Sequence, residues 1–207
     1  ILNNFNRPES FEAGIKFTSK KVLQLAVVLL GFGLNLGEII VVGKSSLLII
    51  LSTISTALII AFAAAKVLNI DSDIATLVGV GSSICGGSAI AATAPVINAK
   101  DEDIATSISV IFLFNIIAAL IFPTLGVKLG MTHTGFGMWA GTAINDTSSV
   151  VAASGTWSTM FNDDTALNYA TIVKLTRTLA IIPITLVLGI IKSKENTEKV
   201  SPLKAFP

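Results

Sequence analysis

Apolar residues fall into six runs separated by short charged stretches, at about 22–42, 45–66, 74–99, 104–127, 135–155 and 165–191. From Ser45 to Ala65 there are 21 residues without a charge, and from Ile104 to Val127 there are 24. A helix rises about 1.5 Å per residue, so each of these two runs covers a hydrocarbon core of about 30 Å. They read as plain membrane spans. The run at 22–42 contains LGFGLNLG, where Gly31, Gly33 and Gly37 leave little side-chain bulk and Asn35 adds a polar group. A groove for close helix packing is the reading expected there. The last run, 27 residues long, carries Lys174 and Arg177 about ten residues in.

The third and fifth runs differ from the rest. GSSICGGSAIAA (Gly81 to Ala92) and GTAINDTSSVVA (Gly141 to Ala152) match each other at a spacing of 60 residues, pairing Gly81 with Gly141, Ser82 with Thr142, Ile84 with Ile144, Ser88 with Ser148 and Ala92 with Ala152. Gly86 and Gly87 let the backbone leave helical geometry, and the freed N–H and C=O groups then need partners that lipid does not supply. Two geometries fit equally: a broken helix that crosses, or a re-entrant hairpin that returns to its own side. Two hairpins separated by one true span would enter from opposite faces, the inverted arrangement of alternating-access carriers. The fold expected is an all-α polytopic membrane protein, one transmembrane domain over residues 1–207, with two interrupted or re-entrant Gly/Ser-rich segments related as inverted repeats.

Composition agrees with the pattern. Hydrophobic residues make up 52% of the chain and charged residues 13%, and the mean hydropathy is +0.80. A net charge of +1 with no basic stripe excludes a nucleic-acid role. A single cysteine, Cys85, excludes an internal disulfide and supplies no thiolate metal site by itself. Residues 1–21 form a polar lead-in, 22–191 the membrane region and 192–207 a polar tail. The side holding the N-terminus collects Arg7, Lys16, Lys20, Lys21, Lys66, Lys128, Lys192, Lys194, Lys199 and Lys204, against Lys44 and Lys100 opposite, ten to two. Both ends are therefore expected on the cytoplasmic side of the cell membrane. If the interrupted runs are hairpins, Lys100 and Lys128 trade sides and the score is unchanged. The chain opens without methionine and ends at SPLKAFP, so a piece of a longer transporter is expected.

The candidate site gathers Ser82, Ser83, Cys85, Gly86, Gly87 and Ser88 from the first motif with Asn145, Asp146, Thr147 and Ser148 from the second. Half-helices that begin at such breaks aim N–H groups and a partial positive charge inward, which suits an oxyanion, with Ser82, Ser83 and Ser88 as neutral donors. The oxygens of Asn145, Asp146, Thr147 and Ser148 suit a proton or a sodium ion. For Ser82, Ser83, Cys85 and Ser149 taken singly, tight helix packing explains the residue type equally well. Asp146 is different, because an ionised carboxylate at depth costs at least about 2.5–3.5 kcal/mol and should be paired, protonated or functional. Lys174 and Arg177, three apart on one helical face, are the cations well inside an apolar run. They are expected to be counter-charges to Asp146 or to an anionic substrate; the bland alternative is that they snorkel to the interface. His133 reads as a solvated loop residue, Trp139 and Trp157 as markers of one or both interfaces, and Asp71, Asp73, Asp101, Glu102 and Asp103 as first-turn residues of helices.

GIKFTSKKVLQLAVVLLGFGLNL, GVGSSICGGSAIAATAPVI, GTAINDTSSVVAA and KLTRTLAIIP together resemble the family of bacterial and archaeal membrane proteins catalogued as sulfate exporters. The resemblance runs through nearly the whole chain, with SSICGG its most specific mark. Family members are usually longer. That family is similar in turn to the bile-acid, arsenite and riboflavin transporter superfamily, which implies inverted repeats and interrupted helices crossing near the membrane centre. Some relatives carry a His-Glu pair where this chain has Asn145 and Asp146, so the coupling chemistry differs from theirs.

The function expected is ion-coupled secondary transport of a small anion. Its partners are the lipid bilayer, the anion and a coupling proton or sodium ion; a homodimer stays open, and no cofactor is called for. The glycine stretch lacks the Gly-Lys-Ser/Thr ending of a phosphate-binding loop, which argues against ATP-driven transport. A channel with re-entrant loops is the second reading. An intramembrane enzyme, using Asp146 or a Ser88 and Lys174 pair, is the third and the weakest, since no second buried carboxylate and no HExxH motif are present.

Overall fold

Of the chain, this computed structural model describes residues 35–195, with Leu25, Leu29 and Phe32 ahead of them. The chain divides into two units, Ile1–Ile40 and Val41–Pro207, and the packing below is that of the second. The run expected at 22–42 lies largely outside the described residues.

Among the described residues, three helical stretches are long and apolar enough to cross a membrane: α1 at Leu36–Leu68, α4 at Asp101–Lys128, and the combined stretch Thr165–Ile191. Their outward faces carry Leu48, Leu51, Phe112, Leu113, Phe114 and Leu120 exposed, a surface that suits lipid and not water. No strand occurs among the described residues. The boundary expected between the first two runs is absent, because α1 continues through Gly43 and Lys44. A lone glycine costs a helix only about 1 kcal/mol, and no proline is present there to stop it. Lys44 therefore sits within a helix and not in a loop.

The two interrupted runs are both helical hairpins. The first comprises α2 (Ser72–Ser83) and α3 (Gly87–Ile97), and the second α5 (His133–Ala143) and α6 (Thr147–Phe161). At 12 and 11 residues, α2 and α3 are each under about 20 Å long, too short to span alone. They double back: a Cβ on Gly81 would lie 2.9 Å from the Ile90 side chain, and Leu77, Ile90, Ala94 and Ile97 share one apolar cluster. In the second hairpin Phe136 stacks on Trp157 with ring centroids 4.1 Å apart. The crossing alternative is thereby excluded for both. The acidic residues read as first-turn features are so placed, with Asp71 capping α2 through the Asp73 N–H and Asp101, Glu102 and Asp103 in the first turn of α4.

The sixth run is α7 (Thr165–Thr178) followed by α8 (Ile181–Glu195). Pro183, at the third position of α8, offers no N–H to the preceding turn, which accounts for the step at Leu179 and Ala180. Helix α5 lies against α7 through glycines: a Cβ on Gly137 would sit 2.9 Å from the Ala166 carbonyl oxygen, and one on Gly141 would sit 2.8 Å from that of Ala170. This small-xxx-small contact lets two backbones approach closely. It also sets the site, because Ala166, Ala170, Lys174 and Arg177 follow the i, i+4, i+8, i+11 stripe of one face of α7.

Candidate functional site at the hairpin tips

Where a helix stops, its last carbonyls lose their partners, and in a dry interior they need replacements. At the tip of the first hairpin the chain leaves α2 through Ile84 (φ −121°, ψ −92°) and Gly86 (φ 73°, ψ −126°). At the second it leaves α5 through Ile144 in an extended conformation. The replacements come from α7. Arg177 Nε donates to the Ser83 carbonyl at 2.7 Å and Nη2 to that of Ser82 at 2.7 Å, while Nη1 donates to the Thr142 carbonyl. Lys174 Nζ donates to the Ile84 carbonyl at 2.8 Å and to that of Ile144 at 3.1 Å. Two cations thus hold the C-terminal ends of α2 and α5 together, where the helix dipoles favour positive charge.

Lys174 and Arg177 are 0% and 2% exposed, which rules out the snorkelling alternative. Neither forms an ion pair among the described residues, so the expected pairing with Asp146 is not what holds them. Among the described residues their hydrogen bonds go to neutral carbonyls. Asp146 instead caps α6: its Oδ2 accepts from the Ser149 N–H at 3.1 Å and from the hydroxyls of Ser148 and Ser149.

All twelve residues singled out from the sequence lie at or beside the two tips, in several different roles. The hydroxyls of Ser82 and Ser83 donate back into α2, to Val78 and Gly79 and to Val80, so these residues offer carbonyls to Arg177 and no free donor. Cys85 is buried, with its sulfur 3.0 Å from the Ser88 hydroxyl. Gly86 carries the positive φ that only glycine adopts readily. Gly87 borders open space. Thr147 is the first residue of α6. Asn145 donates its main-chain N–H at 2.8 Å to Oδ1 of Asn115 in α4.

Asn115 escaped the sequence reading because it stands alone in what looked like a plain span. An amide near the middle of an uncharged 24-residue run was the available signal. It is 2% exposed and lies midway along α4, so both tips reach the centre of that helix: Gly86 comes against Asn115 and Ile111, and Asn145 against Asn115. The hairpin bases adjoin opposite ends of α4, at Asn98 and Thr132. A cavity of about 580 Å³ opens beside the tips, lined by Ser52, Thr53 and Thr56 of α1 and by Ser82, Thr142, Asn145 and Arg177.

Two expectations need correcting at the base of the second hairpin. His133 is partly exposed as expected but does not lie in a loop: it begins α5, and its Nδ1 accepts the Trp157 indole N–H at 3.0 Å. Trp157 is 1% exposed, so it is a core residue and not an interface marker.

Residues 1–207 match the family described as conserved hypothetical protein 698. The chain belongs to that family. Among its relatives are UPF0324 membrane proteins of Fusobacterium nucleatum, 64% identical over 200 residues, and of Streptococcus agalactiae serotype V, 60% identical over 205. Another, from Streptococcus pneumoniae strain R6, is 59% identical over 201 residues. These alignments cover 95%, 98% and 96% of the chain but 58%, 61% and 60% of the respective relatives, so the chain spans about three fifths of their length. No solved structure matches it. This conserved hypothetical protein 698 member is a membrane protein, as its relatives' names state of them and as suits the three long apolar helices among the described residues. None of those three names mentions a substrate.

Proposed function

We propose that this protein is a secondary carrier for a small anion, coupled to a proton or a sodium ion, with its site at the two hairpin tips. One observation carries the reading: Lys174 and Arg177 are buried at the meeting of the tips, among the described residues their hydrogen-bond partners are neutral carbonyls, and Arg177 borders the cavity. Carbonyls solvate a cation without cancelling its charge. An anion entering beside Arg177 therefore gains an attraction that a neutral solute does not. Binding and not catalysis is the role proposed.

The placement of the tips supports alternating access. Hairpins whose bases adjoin opposite ends of α4 and whose tips meet at its middle fit an inverted pair, in which either hairpin can move against the rest while the site stays fixed. The coupling ion is assigned to Asp146 with Asn145, Thr147 and Ser148, because among the described residues the side-chain hydrogen bonds of Asp146 converge on Oδ2 and leave Oδ1 for a proton or a cation. Location in the cell membrane with the lysine-rich tail cytoplasmic is part of this reading; the same side is not carried over to the N-terminal end, because the ten-to-two count took Lys44 as a loop residue and α1 runs through it.

The test is uptake into proteoliposomes by the full-length protein. Concentrative uptake of a labelled anion under an imposed proton or sodium gradient is expected, with saturation at carrier rates. Asp146→Asn is expected to leave the protein folded and to abolish coupling. Conductance that outruns carrier turnover without coupling overturns the carrier in favour of a channel, and wild-type uptake by the variant removes Asp146 from the site.

A further inference from the structure

The two tips are not equivalent. Helix α6 is closed by Asp146, whereas α3 begins at Gly86 with no side-chain cap. The N–H groups of Gly87, Ser88 and Ala89 make no hydrogen bond among the described residues, the first bond into α3 being that of Ile90 to the Gly86 carbonyl. Beside them lies a second unsatisfied donor. Asn115 Nδ2 is buried and has no partner among the described residues, and a Cβ on Gly86 would lie 3.6 Å from it. The orientation of this amide follows from chemistry: the Asn145 N–H is a donor, so the atom it meets at 2.8 Å must be the oxygen. The NH₂ is thereby turned toward Gly86, at the entrance to α3.

We infer that Asn115 Nδ2 and the uncapped start of α3 form a subsite for an acceptor oxygen of the ligand, carried by a carboxylate or an inorganic oxyanion. Amide N–H groups at a helix start and a side-chain NH₂ are all donors, so water satisfies them incompletely and a cation is repelled. Gly87 leaves the approach open, since an added Cβ there would meet nothing within 4 Å. The inference rests on the anion reading above and adds the group that recognises the anion's oxygen.

Thermal unfolding of the full-length protein in detergent, with sodium sulfate, phosphate or acetate against sodium chloride at equal ionic strength, tests it. Two variants are used. Asn115→Asp keeps an oxygen for the Asn145 N–H and replaces the NH₂ with a charged acceptor; it is expected to lower the unliganded midpoint, since a carboxylate at that depth is costly, and to lose the oxyanion-induced shift measured from that midpoint. Gly87→Pro removes one N–H at the first helical position, where proline is tolerated, and the dihedrals of Gly86 mirror the polyproline region favoured before proline. It is expected to weaken the apparent affinity about tenfold. If the oxyanions shift the wild type and both variants equally, the subsite is wrong while the carrier reading stands. If none of the three salts, nor short-chain phosphatidylglycerol, shifts the wild type, the anion reading falls and the subsite with it. Short-chain phosphatidylglycerol in place of the salts separates the sources. A shift with the lipid alone, lost in both variants, supports the subsite and assigns its oxygen to a headgroup.

Discussion

Phe136 and Trp157 lie face to face, their ring planes 9° from parallel, one from each arm of the second hairpin. The contact clamps α5 to α6 on the side away from the tip, and Gly126 of α4 makes room for it: a Cβ there would be 2.7 Å from Phe136 and 2.8 Å from Trp157. The hairpin is held by packing at its base and by α7 at its tip.

Trp157→Ala is therefore expected to cost about 3–5 kcal/mol, the range for emptying a buried aromatic site. Trp157→Phe should cost less, keeping the stack while losing the hydrogen bond to His133. Denaturant unfolding in a fixed detergent measures both, and equal losses would mean that the indole N–H, not the stack, is what matters.

The glycines of α5 and α6 give a paired prediction. Gly141→Ala places a methyl 2.8 Å from the Ala170 carbonyl oxygen and 3.0 Å from Val173, so it is expected to destabilise by about 1–3 kcal/mol and to push α7 away from the tips. Gly155→Ala points into open space within α6 and should stabilise by about 0.5–1 kcal/mol. Unfolding midpoints of opposite sign confirm the close α5–α7 contact.

Lys174 and Arg177 should respond differently to mutation. Lys174→Met orphans the carbonyls of Ile84 and Ile144 and is expected to lower stability by about 1.5–3 kcal/mol, the worth of hydrogen bonds to a charged group. Arg177→Lys retains the charge but not the planar fork that reaches Ser82, Ser83 and Thr142 together. Its expected result is a loss of transport larger than its loss of stability, because the tips lose their register while the site keeps a cation. Uptake and unfolding measured on the same preparation separate the two effects.

For Asp146 the cap and the proposed coupling role part company. Asparagine caps helices about as well as aspartate, so Asp146→Asn should unfold within about 0.5 kcal/mol of wild type, whereas Asp146→Ala should lose about 0.5–2 kcal/mol. A large loss in the asparagine variant would show that the charge itself stabilises the tip.

Much was legible in the chain because lipid imposes a simple code. Run length gave the spans at α1, α4 and 165–191, since only a helix of about 20 apolar residues covers the hydrocarbon. The matching of Gly81 to Ala92 with Gly141 to Ala152 located both breaks to within a residue or two, since glycine and hydroxyl clusters mark where a backbone leaves the helix. Helix continuity through Lys44 was missed because a charge inside a run looks like a loop in one dimension.

What the sequence determined alone is therefore local: which segments are helical, where two of them break, and which polar residues sit at the breaks. Tertiary structure decided the rest, because hairpin and crossing helix have the same local pattern and differ only in what packs across the break, here Gly81 on Ile90 and Phe136 on Trp157. It also decided that Lys174 and Arg177 face main-chain carbonyls and not Asp146, and that Asn115, unremarkable in its own run, stands where both tips arrive. Backbone carbonyls carry no sequence signature, so a side chain that binds them declares its role only when the chain has folded.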